Sequence, residues 1–146
     1  MTSEVIPSCA TTASNQRAIS RLVAQAGQML LAHGAESTLV SDIMQRIGIA
    51  CGVSEVAVAL SANALVVTTV KDDHCITTTR SCANRGINMR VITQIQRICI
   101  MMERGLLDVR MAQKKLNTIS PERYNRWLVV FMICLLYTSD AADEVL

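Results

Sequence analysis

Val56-Ala-Val-Ala-Leu-Ser-Ala-Asn-Ala-Leu-Val-Val-Thr-Thr-Val-Lys-Asp-Asp-His-Cys-Ile-Thr-Thr-Thr-Arg80 is where the chain changes period. Val56, Val58 and Leu60 alternate with small residues, as on a strand with one face against a core. Ala64–Val70 is rich in β-branched side chains, and His74–Arg80 carries Cys-Ile-Thr-Thr-Thr. Branching at Cβ favours the extended backbone. Lys71-Asp72-Asp73 separates the last two runs at hairpin distance. Three antiparallel strands in a meander are predicted.

Toward the N-terminus the spacing is helical. Ile19, Leu22, Val23, Ala26, Met29 and Leu30 form one stripe between Gln16 and His33, and Gly34 follows as a C-terminal cap. Leu39, Val40, Ile43, Met44 and Ile47 form a second stripe over about Glu36–Cys51, ended by Gly52. The short link at Gly34 predicts an antiparallel helical hairpin. Met1–Asn15 is rich in Ser, Thr and Ala without pattern, and reads as a frayed tail.

Toward the C-terminus, Arg80–Asn88 is polar and reads as a loop. Asn88 can cap a third helix with the face Val91, Ile92, Ile95, Ile98, Cys99 and Met102, closed by Arg104-Gly105. Asp108 can cap a shorter fourth helix carrying Val109, Ala112 and Leu116. Ser120-Pro121 is a strong helix start, and the helix it opens enters Trp127-Leu-Val-Val-Phe-Met-Ile133. The fold class is therefore α+β: an N-terminal helical hairpin, a three-stranded antiparallel meander, two further helices, then the start of a transmembrane helix.

Composition bounds the function. Of 146 residues, 51% are hydrophobic and 18% charged, greasier than an ordinary soluble domain. The longest apolar run, Trp127–Leu136, is shorter than the ~18–20 residues a spanning helix needs. No secretory signal opens the chain. The six cysteines form no Cys-x-x-Cys, and no histidine pair has metal-ligand spacing, so reduced thiols, no metal and no cofactor are expected. The net charge of +2 is too small to point to nucleic acid. Its distribution matters more: every basic residue precedes Trp127, and Lys114, Lys115, Arg123 and Arg126 stand just before the greasy run, marking that flank as cytoplasmic. Tyr124, Arg126 and Trp127 read as membrane-interface anchors.

Within the domain, Arg80, Arg85 and Asn88 bracket the polar loop. Two cations beside a helix N-terminus can hold a carboxylate or phosphate, or contact a partner. The plainer alternative is a solvated loop with Asn88 merely capping. Glu36 opens the second helix, where a carboxylate complements the dipole; the functional alternative is a proton-coupling or gating group. His33 sits at a helix end and reads as a cap. His74 and Cys75 point to opposite faces of a strand, and Ser37 lacks the Gly-x-Ser-x-Gly setting of a hydrolase. No catalytic residue is assigned, and no enzyme is expected.

Several segments are recognisable together: His33-Gly-Ala-Glu-Ser37 with Val40 and Asp42, Arg46-Ile-Gly48, Ser61-Ala-Asn-Ala-Leu65 with Thr68-Thr69, Thr77-Thr-Thr-Arg80 and Arg85-Gly-Ile-Asn-Met89. Pro121, Tyr124 and Arg126-Trp127-Leu128-Val129 extend the set. In this order they resemble the N-terminal domain of the threonine/serine exporter (ThrE-type) family, closest to its shorter YjjP-type members. The resemblance covers Gln16 to about Ile133. It implies a cytoplasmic α+β domain over 16–119 and the start of the first transmembrane helix over 120–133. It also implies a bacterial inner-membrane location and gradient-driven export of small polar metabolites: threonine and serine, or a dicarboxylate such as succinate. The implied partners are the lipid bilayer, a second small membrane subunit and, as a further option, other copies of the chain. Cys134-Leu-Leu-Tyr-Thr-Ser-Asp-Ala-Ala-Asp-Glu144 departs from this pattern and resembles the translation of a transposase sequencing adapter, so 134–146 is expected to be artefact. The competing reading is a soluble regulatory or ligand-binding α+β domain with no transport role.

Overall fold

The computed structural model describes the backbone of residues 8–83, 85–119 and 126–143, and the side chains of 14–83, 85–119 and 127–138. Its elements in chain order are α1 (Ser8–Ala32), α2 (Ser37–Ala50), β1 (Glu55–Leu60), β2 (Ala64–Lys71), β3 (His74–Ser81), α3 (Met89–Glu103), α4 (Val109–Thr118) and α5 (Arg126–Asp143). The strands form one antiparallel meander in the order β1-β2-β3. Val58 pairs with Val67, and Val67 with Thr78, across the three strands. Asp72 and Asp73 turn the second hairpin with φ of 48° and 63°. That left-handed pair matches the twist of the flanking strands and is one that Asp tolerates better than most residues.

Alternation along the strands decides which face is covered. Val56, Leu65, Val67 and Thr69 are buried, while Ala57, Ala59, Thr77 and Thr79 on the opposite face are exposed. α1 lies across β2 and β3, and α2 against β1. α3 packs on both helices, and α4 on α1 and α3. The result is a helical layer on one face of the sheet, as an antiparallel sheet with one wet face allows. The predicted stripes fill the core: Ile19, Leu22, Val23, Ala26 and Leu30 from α1, Val40, Ile43, Met44 and Ile47 from α2. The full predicted face of α3 is buried too.

Two helix-interior glycines let the layers close. A Cβ on Gly48 would run into Cγ2 of Val56, and one on Gly27 would meet the Met44 side chain and Leu65 Cδ2, the latter at 2.9 Å. A polar seam crosses the same interface. Buried Gln16 donates through Nε2 to the carbonyls of Thr69 (3.2 Å) and His74 (2.9 Å), and Ser20 Oγ lies 3.1 Å from Thr78 Oγ1. Thr69 and Thr78, read from sequence as ordinary strand formers, therefore also fix where α1 sits. On the far side, Arg46 of α2 grips Glu103 of α3 through two 2.7 Å hydrogen bonds, which hold that carboxyl below the usual range.

Two boundaries differ from the expectation. Ser8–Asn15, read as part of a frayed tail, form the first turns of α1. Once the buried part of a helix is nucleated, adding residues costs little, and this segment has no Gly or Pro to stop it. At the other end α5 does not stop with the apolar run but continues to Asp143. Ala141 and Ala142 favour helix, and nothing after Leu136 breaks it. The predicted start at Ser120-Pro121 lies outside the described residues. Among those that are described, no helix is long and apolar enough to cross a membrane.

Candidate functional site

α1 and α4 meet along polar faces. Arg21, Gln25 and Gln28 share one side of α1, and Arg110, Gln113, Lys114 and Asn117 share one side of α4, since residues three and four apart align on a helix. Ala112 and Leu116, on the opposite side of α4, anchor it in the core. Between the polar rows Gln25 Nε2 donates to Asn117 Oδ1 at 2.8 Å, and Gln113 Nε2 donates to Gln25 Oε1. Gln28 reaches the sheet, donating to the Ser81 carbonyl at 2.6 Å.

The described part of the loop after β3, residues 82–83 and 85–88, completes the site. Its main chain is tied to the end of α1: Arg85 N donates to Ala32 O at 2.9 Å, and Asn88 N to His33 O at 3.1 Å. These bonds use carbonyls that a helix C-terminus otherwise leaves unpaired. Gly34, at φ 81°, lets the chain leave α1 while Ile87 passes within 3.0 Å of where a Cβ would stand. His33 is 3% exposed, and its Nδ1 lies 2.7 Å from the Met29 carbonyl. A carbonyl only accepts, so Nδ1 carries the hydrogen. Nε2 of the same ring is the one buried side-chain nitrogen or oxygen among the described residues with no hydrogen-bond partner.

These parts enclose a two-lobed cleft. One lobe, about 480 Å³, is lined by Gln25, Gln28, His33, Arg80, Arg85 and Asn117 among others. The second, also about 480 Å³, shares Gln25 and Arg80 and adds Arg21, Arg110, Gln113 and Lys114. Both volumes fall in the usual range for small-molecule sites. Among the described residues neither lining contains an Asp or Glu. Arg80 and Arg85 form no ion pair among the described residues. The cleft thus gathers cations, amide groups and a buried imidazole without a compensating carboxylate, and its field favours anions. No cluster of His, Cys, Asp or Glu among the described residues is placed to hold a metal.

The sequence candidates separate cleanly. Arg80, half-buried at the end of β3, and exposed Arg85 come together in one lobe. Asn88 does not join them: its side chain accepts from Arg90 N at 3.1 Å and caps α3. Glu36 is the exposed N-cap of α2, makes no side-chain cap bond, and lies outside the cleft lining. His33 caps α1, as its position implied, and also lines the cleft. Gln25, Gln28, Arg110 and Asn117 were not singled out from sequence, and Lys114 was read only as part of the basic flank before the apolar run. Their helical spacing was visible, but such rows usually face water, and only the docking of α4 on α1 makes them a wall. Of the interface candidates, Trp127 is 83% exposed. Tyr124 and the side chain of Arg126 lie outside the described residues. Every described side chain of α5 from Trp127 to Thr138 is exposed, and most are large and apolar.

With this geometry in hand, comparison with known proteins is informative. The profile of the ThrE family, described as "Putative threonine/serine exporter", matches residues 21–139. An "Uncharacterized protein" of Haemophilus influenzae is 52% identical over 120 residues, covering 82% of this chain and 40% of the relative. A "Probable succinate transporter subunit YjjP" of Klebsiella aerogenes is 49% identical over 122 residues, covering 84% of this chain and 47% of the relative. The protein of that name in Escherichia coli is 48% identical over 120 residues, covering 82% and 47%. The chain thus spans about half the length, or less, of these curated relatives. No solved structure matches. The order of motifs, the α+β architecture and a match running from α1 into α5 agree: this chain belongs to the ThrE family.

Proposed function

We propose that the chain is the cytoplasmic part, with the beginning of the first membrane helix, of a bacterial inner-membrane exporter subunit. The observation that carries this reading is α5. A helix whose side chains from Trp127 to Tyr137 are exposed and largely apolar has no place on a water-facing surface, and it follows a chain that holds every basic residue. Lipid or other membrane helices satisfy such a surface, and the basic flank keeps residues 16–119 on the cytoplasmic side. Tyr124, Arg126 and Trp127 would then sit at the headgroup level.

The relatives' greater length supports further membrane helices in the whole protein, where the transport path would lie. The cargo would be a small polar metabolite, with threonine or serine suggested by the family's description and succinate by the names of the relatives. The word "subunit" in those names supports assembly with a second membrane protein. The folded domain, anchored at one end of the path, would gate it or dock against it.

The test is efflux. Cells producing the full-length parent, preloaded with labelled threonine, serine or succinate, should lose at least one of these faster than cells lacking it. Normal membrane insertion, with the partner gene present and no accelerated efflux of any of the three, would overturn the reading.

A further inference from the structure

We infer that the cleft between α1, α4 and the described part of the loop after β3 is a binding site for a small oxyanion, a molecule bearing a carboxylate or phosphate group held by Arg80 and Arg85. This goes beyond the export reading, because binding is a property of this chain and is measured without transport.

Three independent observations converge on the site. The first is charge without neutralisation. Arg80 and Arg85 share one lobe, Arg21, Arg110 and Lys114 extend the positive wall into the other, and among the described residues neither lining has a carboxylate. Elsewhere the fold does pair an arginine: Arg46 is met by both Glu103 and Asp42. No carboxylate among the described residues pairs with the cations of the cleft. A guanidinium offers a planar fork of donors that matches two oxygens of a carboxylate or phosphate.

The second observation is the orphaned Nε2 of His33. The ring is 3% exposed and lines the same lobe, with Nδ1 already engaged by the Met29 carbonyl. A buried nitrogen without a partner is an unfilled hydrogen-bonding position in a residue that lines the lobe. The third is rigidity. Gln25, Gln113 and Asn117 are cross-linked by hydrogen bonds, Gln28 is fixed to Ser81, and the loop bearing Arg85 is pinned through main-chain bonds to Ala32 and His33. A preorganised polar wall costs little further ordering on binding. The concave shape, with His33 and the amides among its lining, fits a small molecule better than a flat anionic membrane.

The full 146-residue chain in neutral detergent would be titrated by calorimetry with inorganic phosphate, malonate and, as a neutral control, glycerol. Saturable binding of phosphate or malonate is expected, weakened by added salt, with none for glycerol. Arg85→Gln and Arg80→Gln should each weaken it about tenfold or more, as loss of charge-assisted hydrogen bonds does. Arg104→Gln, at the exposed C-terminal cap of α3 and outside both lobes, should leave it unchanged. Arg85 is exposed on a loop, so that variant should fold even if Arg80→Gln does not. A fourth arm uses vesicles containing phosphatidylglycerol. Vesicle binding that depends on Arg85, without binding of either soluble anion, would replace the small ligand with a lipid headgroup and overturn the proposal. Absence of saturable anion binding, or equal loss in Arg104→Gln, would overturn it too.

Discussion

Gly48→Ala tests whether close packing or helix propensity decides the α2–β1 interface. Propensity alone says the substitution stabilises, since Gly in a helix interior is worse than Ala by about 0.8–1 kcal/mol. The structure says otherwise. Gly48 is buried in α2, and a Cβ there overlaps Cγ2 of Val56, with Val56 Cβ at 3.6 Å and Val23 Cγ2 at 3.9 Å closing the surroundings. Val56 is 5% exposed and branched at Cβ, so it has few rotamers into which to retreat. Relief requires moving α2 away from β1. Forcing a methyl into such a core costs about 1–3 kcal/mol, and this direct overlap with Val56 Cγ2 belongs at the upper end, about 2–3 kcal/mol, so the net effect is a destabilisation of about 1–2 kcal/mol after the propensity gain. For a domain of this size that lowers the melting temperature by roughly 5–15 °C. Thermal unfolding followed by circular dichroism at 222 nm on both chains measures it. Val56→Ala added to Gly48→Ala should recover part of the loss by removing the clashing methyl. A melting temperature for Gly48→Ala equal to or above that of the parent would refute the packing argument.

Other perturbations probe separate parts of the fold. Asn88→Ala removes the side chain that accepts from Arg90 N and should cost α3 about 1 kcal/mol, read in the same melt; Asn88→Asp should keep most of the stability. Burial first, then the charge of Asp108, pushes the Cys51 thiol up to about 11, and burial is also the main cause that raises Cys99 to about 11. Disulfide exchange with Ellman's reagent at pH 8, mapped by mass spectrometry, should therefore label exposed Cys75 and Cys134 about a hundredfold faster than Cys51 and Cys99; equal rates would contradict the burial. Ending the chain after Ser120 removes the exposed apolar surface of α5, and should shift size-exclusion profiles from aggregate or detergent-bound species to a single small species. Identical profiles for both chains would count against a lipid-seeking role for α5.

Much of the architecture could be read from side-chain spacing. The shift from period 3.6 to period 2 at Val56 announced the meander, and the stripe from Val91 to Met102 named the buried face of α3 in full. Those signals are local: each records which side of one element meets the core. The cleft was legible only in part, because it is a product of tertiary placement. Arg80 and Arg85 could be proposed together because they flank one loop, yet Arg110 and Lys114 enter only when α4 docks against α1. Asn88 and Glu36 carry equally suggestive chemistry at helix starts, and the structure uses the first as a cap and leaves the second exposed outside the lining. His33 was legible as a cap, whereas the burial that leaves its Nε2 unpartnered is a tertiary property with no local signal. The helical start of α1 at Ser8 was missed for a different reason: that segment lacks an apolar stripe, so periodicity had nothing to register.

The claim on which the account rests is that the apolar start of α5 belongs to a membrane-crossing helix of a longer exporter subunit. Sequencing the source genomic DNA across codons 127–146 and beyond tests this directly. The account predicts that the reading frame departs from the present sequence near codon 134, completes an apolar segment of about 20 residues, and continues through further membrane helices to roughly the length of the relatives. A genomic frame that encodes Cys134–Leu146 as they stand, with a stop codon immediately after them, would contradict it.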